Sequence, residues 1–544
     1  MRGFMHRRGA LKAAAVAACL LAATLGTAAW RWTHAPRVWG PGEVPVAFWS
    51  WRADAPTQEE VARAFEETGA RALFLRAGQL DYEGGRVGRI RAAGGKLPSR
   101  VELHLVYNGT RSLLGEFERI GEAKLAAAFL ETFRGDVERA RRDGASVAGL
   151  QLDLDVPTRL LARYGRVLRE VREGLPREVK LSVTGLTTWM DSEELGGALE
   201  AVDFWSPQFY GAEIPATLER VVPIASPRAV EREVKRARAL GKPFYAGLAA
   251  YGHALLYSSK GKLLSLHGDL DPARVAAARS LELVERRAFE ARGAVDEGAV
   301  DSPHASEWRY VFRAREDASV EGVAVRAGEV FVLDLPSSEA LRAGVRGVRR
   351  SAGEKLLGIC LFRLPTRGDQ TTLGLGQLAA ALRDEESGVR ARLRVEAVGE
   401  EGRARASSES VNQLFVTATN EGAAGALFGD EALVLTLRVP RGSLRGVSRL
   451  EGFDAVETLC APVGVTEVEG RAGGAGGLRP CAPARASAVR LKARGWPGGA
   501  GAGVGLSFEG DPPEGLAATV AVRADDGRVW EQTERLSWKK ADGR

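Results

Sequence analysis

Histidine and cysteine are scarce in this chain of 544 residues, with six of the first and four of the second. That leaves little material for a metal centre, and no His-Glu-x-x-His pair is present. Gly-x-Ser-x-Gly elbows and Gly-x₄-Gly-Lys-Ser/Thr phosphate loops are absent too, which removes the hydrolases and nucleotidases built on them. No cofactor is implied. A charge excess is also lacking, since 76 Lys and Arg face 70 Asp and Glu for a formal +6. Arg2, Arg7, Arg8 and Lys12 precede the first apolar run, so removing these four leaves only +2 for the rest. A nearly neutral body does not suit a nucleic-acid binder. What is present is ordinary: 45% hydrophobic and 27% charged residues exclude a disordered chain and a membrane bundle as the whole answer.

The first thirty residues read as an address. Basic Met1–Lys12 is followed by uncharged Ala13–Ala29, whose length lies between a signal-peptide core and a minimal membrane span. Arg7-Arg8-Gly9-Ala10-Leu11-Lys12 resembles a twin-arginine export signal, and Val16-Ala17-Ala18-Cys19 matches a lipoprotein box by letters. Cleavage after Ala28 or Ala29 and retention as an anchor with Trp30 and Trp32 at the interface both stay open. Either way residues 1–35 send the body out of the cytoplasm, to the periplasm or cell surface, and the membrane is met only through residues 13–29. Cys360 lies in the apolar run Leu356–Phe362 and reads as a buried thiol. Cys460 and Cys481 flank a Gly-rich stretch and read as a disulfide, which an oxidising compartment permits.

From residue 40 to 385 short apolar runs alternate with amphipathic stretches. Strand candidates are Val46–Trp51, Ala70–Leu75, Val101–Tyr107, Val147–Asp155, Lys180–Leu186, Ala201–Tyr210, Pro243–Tyr251 and Lys355–Arg363. Helical patterns run over Gln58–Thr68, Lys124–Asp143, Arg159–Glu173, Ala229–Leu240 and Leu375–Arg383. Eight strands interleaved with helices point to an α/β fold, a (β/α)₈ TIM barrel. The excess length before the last strand reads as a small β insertion carrying Trp308–Arg313, Gly322–Val325 and Glu329–Leu333. A doubly wound sheet is the other fold considered, but no strand-linked glycine fingerprint supports it. Residues 389–544 change to short alternating runs broken by Gly, Pro and Asp, the pattern of a β-sandwich accessory domain.

In such barrels the active site forms at the C-terminal strand ends. The fourth strand is the strongest signal. Gln151, Asp153 and Asp155 alternate with leucines, so the three polar side chains share one side, expected to be the barrel interior. Two stacked carboxylates should repel, and the expectation is that upper Asp155 keeps a raised pKa while lower Asp153 stays ionised. The alternatives are a structural polar plug, or Asp155 capping the helix that begins near Thr158. Gln208 and Tyr210 end the sixth strand. Trp49, Trp51, Trp189 and Tyr251 also fall near strand ends, where they can stack on sugar rings or pack the core. His253 beside Tyr251 reads as a substrate contact or an ordinary loop histidine.

Gly149 to Asp155 is similar to the fourth-strand signature of chitinase-type (family 18) glycoside hydrolases, Asp-Gly-x-Asp-x-Asp-x-Glu. The resemblance sets Gln151 and Asp153 on the inner aspartates and Asp155 on the catalytic glutamate, with Ala148 replacing the leading aspartate. Gln208-Phe209-Tyr210-Gly211 looks like the clan's Met-x-Tyr-Asp. Asp for Glu shortens the acid by about 1 Å, enough to impair a positioned proton transfer. The barrel as a whole resembles more closely an uncharacterised bacterial family, domain of unknown function 3142, over about residues 45–370. It does so through Phe48-Trp49-Ser50-Trp51, Gln151-Leu152-Asp153-Leu154-Asp155 and Glu307-Trp308-Arg309-Tyr310. The resemblance implies a glycosidase-like barrel acting on a polysaccharide or glycan, with Asp155 as general acid and Asp153 as its charged partner. Gln151, Gln208, Tyr210 and the aromatics would contact sugar. The rival expectation is a non-catalytic carbohydrate-binding or envelope scaffold protein on a degenerate barrel.

Overall fold

The computed structural model describes residues 37–538, apart from 212, 289–307, 367–368, 370, 399–411, 427, 430, 462–477 and 525–528. The N-terminal address and Glu307 lie outside the described residues. No helix among the described residues is long and apolar enough to cross a membrane.

Eight parallel strands close into a barrel. They are β1 (Val46–Ser50), β2 (Ala70–Glu83), β3 (Glu102–Gly109), β4 (Val147–Asp153), β5 (Lys180–Leu186), β6 (Phe204–Gln208), β7 (Phe244–Ala249) and β8 (Leu356–Phe362). Closure comes from β1, which pairs β2 on one side and β8 on the other, with Trp49 opposite both Phe74 and Phe362. Leu150, Leu152 and Leu154 are fully buried in the layer shared with the helices, so the intervening polar residues of β4 face inward. The inner layer holds Ala47, Trp49, Ala72, Phe74, Val106, Phe204 and Cys360. A Cβ on Gly247 would lie 2.7 Å from the Pro207 carbonyl and 3.1 Å from the Trp49 ring, so glycine there makes room for the indole.

The outer ring is α1 (Gln58–Thr68), α2 (Glu122–Asp143), α3 (Leu161–Gly174), α4 (Glu194–Ala198), α5 (Pro227–Ala239), α6 (Ser338–Ser351) and α7 (Leu375–Leu382). Local chemistry sets several ends. Thr57 and Glu60 form a capping box at α1, and Gly69 and Gly144 adopt the left-handed cap after α1 and α2. The ring departs from eight full helices. Between β2 and β3 the chain turns back as strand Arg86–Ala92, which pairs with the far end of β2, and α4 is only five residues long.

Between β7 and β8 lies the insertion, larger than the sequence pattern suggested. Its five-stranded antiparallel sheet runs Leu263–His267, His253–Tyr257, Val330–Leu335, Trp308–Ala314 and Leu281–Ala288. The first two of these show no readable alternation because they are five residues long, and the last because, after Leu281, residues 282–286 are exposed. The sheet leaves the C-terminal end of β7 and is clamped there. Tyr257 Oη donates to the Pro215 carbonyl at 3.0 Å, and Arg363 after β8 donates to the Gly268 carbonyl at 3.0 Å. At its centre Arg309 forms a bidentate pair with Asp334, both contacts 2.6 Å, and His253 Nε2 lies 3.4 Å from Asp334. Arg309 and Asp334 are 1% and 0% exposed. His253 is thus a buried neighbour of this pair, not a loop residue.

From Ala391 the chain forms a sandwich of a four-stranded and a six-stranded antiparallel sheet. Leu414, Val416, Leu435, Leu491, Trp496, Val504 and Val520 form its core. Six of its strands follow the alternation read from the sequence. Leu444–Glu451, Ala455–Cys460, Arg479–Pro480 and Val529–Ser537 do not, because they carry too few buried residues to show it. Cys460 and Cys481 form a disulfide with Cα atoms 5.9 Å apart. The insertion is the bridge to the sandwich: the Phe428 amide donates to Tyr310 Oη at 3.3 Å, and Arg494 donates to the Ala276 carbonyl.

Two stability outcomes follow from these contacts. Asp334→Ala strands a fully buried guanidinium and should cost about 3–5 kcal/mol, read by urea denaturation. Replacing both Cys460 and Cys481 by Ser should cost about 3 kcal/mol, and a reductant should lower the melting temperature of the parent but not of that variant.

Candidate active site

The inward side chains at the C-terminal mouth come from the last residues of each strand. Asp153 closes β4, and Asp155 stands two residues on, in the turn before α3. Asp153 is half-buried. Thr184 Oγ1 donates to its Oδ1 at 2.6 Å and Gln208 Nε2 to the same oxygen at 3.3 Å. With both donors on Oδ1, Oδ2 is left to carry a proton. Burial first, then the Asp155 charge, pushes the Asp153 pKa up to about 7 against the opposing pull of Thr184, Arg76 and Gln208. Asp155 is exposed to water at the mouth yet enclosed enough by the surrounding protein that its pKa is also raised. The two groups titrate as a pair.

Both carboxyls are thus raised. The sequence expectation raised only the upper Asp155 and left Asp153 ionised; the structure raises the lower Asp153 as well, because it is dehydrated and lies beside the Asp155 charge. Helix capping by Asp155 is also set aside. Neither the 3₁₀ turn at Thr158–Leu160 nor α3 has a side-chain cap. No ion pair involving either aspartate is formed among the described residues, so the site is not a salt-bridged plug.

Tyr210, Tyr251, Trp51 and Phe362 make an aromatic wall beside the pair. Tyr210 stacks on Phe362 at 5.7 Å between centroids, and Tyr251 meets Phe362 edge-on at 5.0 Å and Tyr210 at 6.0 Å. Trp51 lies 5.8 Å from Phe362. Burial pushes the Tyr210 phenol well up, so it stays a neutral donor. Trp51, Gln208, Tyr210 and Tyr251 all retain partial exposure.

Three expected sugar contacts lie elsewhere. Gln151 is fully buried one layer below the mouth, accepting from Trp49 Nε1 at 2.8 Å and donating to Ser182 and Ser206 at 3.3 Å each. Trp49 is buried with it. Trp189 is buried as well and donates to the Val156 carbonyl at 2.9 Å, which pins the turn carrying Asp155. These residues shape the site from beneath. Their strand-end positions misled because alternation assigns a side but not a depth.

Arg76, Thr184 and Phe362 join the site and were not named as site residues. Arg76 is the inward residue after Ala72 and Phe74 on β2, and the sequence reading ended that strand at Leu75. The alternation Ala72, Phe74, Arg76 was the available signal. Its Nε donates to Asn108 Oδ1 at 3.2 Å and its Nη2 to Gln79 Oε1 at 3.4 Å, while its guanidinium lies 5.1 Å from the Trp51 ring centroid.

Residues 113–285 match the family model of DUF3142, a domain of unknown function. That span runs from the turn after β3 into the insertion and takes in the whole of β4. No curated protein matches the sequence. Among solved structures the chain is similar to a chitinase from Chromobacterium violaceum, with 13% identity, TM-score 0.41, and coverage of 63% of this chain and 98% of that one. A spore cortex-lytic enzyme from Bacillus megaterium aligns at 12% identity and TM-score 0.39 over 65% of this chain and 76% of that one. A chitinase from Bacteroides thetaiotaomicron aligns at 11% and 0.35 over 63% and 97%.

The shifted carboxyl makes a stability prediction. In the unfolded chain Asp153 releases its proton near 3.8, and in the folded one near 7. Its contribution to stability is therefore full below 3.8, fades as pH rises through that interval, and is gone above 7. Asp153→Asn should flatten the loss of melting temperature between about pH 4 and about pH 7 relative to the parent.

Proposed function

We propose that this chain is a glycoside hydrolase acting on a polysaccharide by carboxylic-acid catalysis, with Asp155 as the proton donor and Asp153 as the partner that holds the shared proton. The observation that carries the reading is a pair of carboxyl groups at the C-terminal mouth of a barrel, free of ion pairs among the described residues. One of them has a pKa of about 7. Structural carboxylates in barrels are normally kept ionised by arginine or lysine, whereas a general acid must be protonated near working pH.

The chemistry follows from exposure. Asp155 faces water and can reach a glycosidic oxygen, while Asp153 is anchored by Thr184 and Gln208 and cannot advance. A sugar covering the mouth strips water from Asp155 and raises its pKa further, which draws the shared proton outward. The proton then passes to the leaving oxygen as the C–O bond breaks, and the emptied pair bears the negative charge that favours an oxocarbenium-like sugar; water then adds to the anomeric carbon and its proton returns to the pair. Trp51, Tyr210, Tyr251 and Phe362 offer faces for the ring, and Gln208 and the neutral Tyr210 phenol offer donors.

Export belongs to the same proposal. The Cys460–Cys481 disulfide suits an oxidising compartment, and the basic-then-apolar N-terminus suits a signal or an anchor. The sandwich, joined through the insertion, is proposed as an accessory module.

Asp155→Asn should lower turnover on a susceptible glycan by about 10²–10⁴-fold with no fall in the melting temperature. Parent activity should fall as pH rises through about 7, and Asp153→Asn should be slow and lose that limb. Full hydrolysis by purified Asp155→Asn would remove Asp155 as the proton donor, and glycan binding without hydrolysis by the parent would leave the barrel as a sugar-binding scaffold.

A further inference from the structure

The arginines around the mouth are not alike. Arg52 and Arg363 both hold Asp369 at 3.1 Å, and Arg363 also holds Asp269 at 2.8 Å. Arg89 is paired with Asp136 at 3.0 Å. Arg76 makes no ion pair among the described residues. Its hydrogen bonds go to the neutral amides of Asn108 and Gln79, and its Nη1 makes none among the described residues. It is nonetheless drawn partly out of water, and the exposed Arg91 adds a like charge beside it.

A partly dehydrated cation next to another cation is an unfavourable arrangement, and among the described residues Asp153 is the carboxylate that acts on it. Asp153 is no neutraliser either, because it holds a proton up to about 7. Asn108 and Gln79 fix the fork and Trp51 lies beside it, so the guanidinium is pre-oriented with Nη1 free of hydrogen bonds among the described residues. It stands within electrostatic reach of Asp153.

Resting on the hydrolase reading above, we propose that Arg76, backed by Arg91, is the subsite for a carboxylate on the substrate, so that this barrel takes an acidic glycan of the uronate kind. A planar carboxylate meets an arginine fork with two parallel N–H···O bonds, a pairing a neutral hydroxymethyl group cannot reproduce. The geometry sets the acid group of the sugar on the β2 side and the scissile bond over β4. One charge on the sugar would then neutralise Arg76 and remove its favourable pull on ionised Asp153, which leaves the aspartate pair more strongly protonated when substrate is bound.

The test uses the full chain in the Asp155→Asn background, where bound glycan is not consumed. Calorimetry is run with oligosaccharides of galacturonate, mannuronate and glucuronate and with the carboxyl-reduced form of each. At least one acidic oligosaccharide should bind, with its reduced form weaker by about tenfold or more. Arg76→Gln should erase that difference by weakening the acidic ligand alone, Arg76→Lys should restore part of it, and Arg91→Gln should act the same way by about two- to threefold. Added salt should weaken the acidic ligand only. Equal loss of acidic and reduced ligands in Arg76→Gln would make Arg76 a structural residue and overturn the subsite. So would binding of neutral cello- or chito-oligosaccharides in preference to every acid, a result that leaves the aspartate pair as the catalytic reading. Failure of all these glycans to bind would overturn both.

Discussion

A polar layer inside a barrel must be held by mutual hydrogen bonds, and here one carboxamide organises that layer. Gln151 takes the Trp49 indole N–H from β1 and gives its own N–H groups to Ser182 on β5 and Ser206 on β6. Three walls of the barrel are thereby tied to β4 at one level. A buried amide left unpaired costs about 1–3 kcal/mol, so the four groups hold one another in place. The level above inherits that order. Thr184 and Gln208 stand one step up β5 and β6 from the serines, and they are the two donors to Asp153. The mouth is positioned by the layer beneath it.

Electrostatically the mouth is divided. On the β4 side two carboxyl groups are both raised by enclosure, and among the described residues no cation pairs with either. On the β2 side a guanidinium is held by neutral amides. In most structural networks these groups would have met as a salt bridge, as Arg309 and Asp334 do in the insertion, where both partners are fully buried and mutually satisfied. The contrast between the two arrangements within one molecule is the physical reason for treating the first as a site and the second as a staple.

The insertion gives the molecule its second organising feature. Because β7 ends at the mouth, any chain inserted there must rise on the active face of the barrel. Its sheet is held by the loop after β6 and the loop after β8, and its fourth strand carries Tyr310 to Phe428 of the sandwich. The sandwich is thus coupled to the barrel through the wall of the mouth.

Much of this was legible in the amino-acid sequence. All eight barrel strands, the inward set of β4 and the change to a sandwich from residue 389 follow from periodicity, since a period of two or of 3.6 residues leaves its trace in any chain that buries one face. The disulfide pair follows from two cysteines flanking one Gly-rich stretch. Periodicity states a side and not a depth. It could not tell that Gln151, Trp49 and Trp189 lie below the mouth while Trp51 and Tyr251 line it, nor that Arg76 lies one residue beyond an apparent strand end. Five-residue strands in the insertion repeat too few times to register, and edge strands of the sandwich bury too little. That the lower aspartate is raised as well was likewise beyond the sequence. Desolvation depends on every atom packed around a carboxyl, and only the closed barrel brings β4, β5 and β6 together to set it.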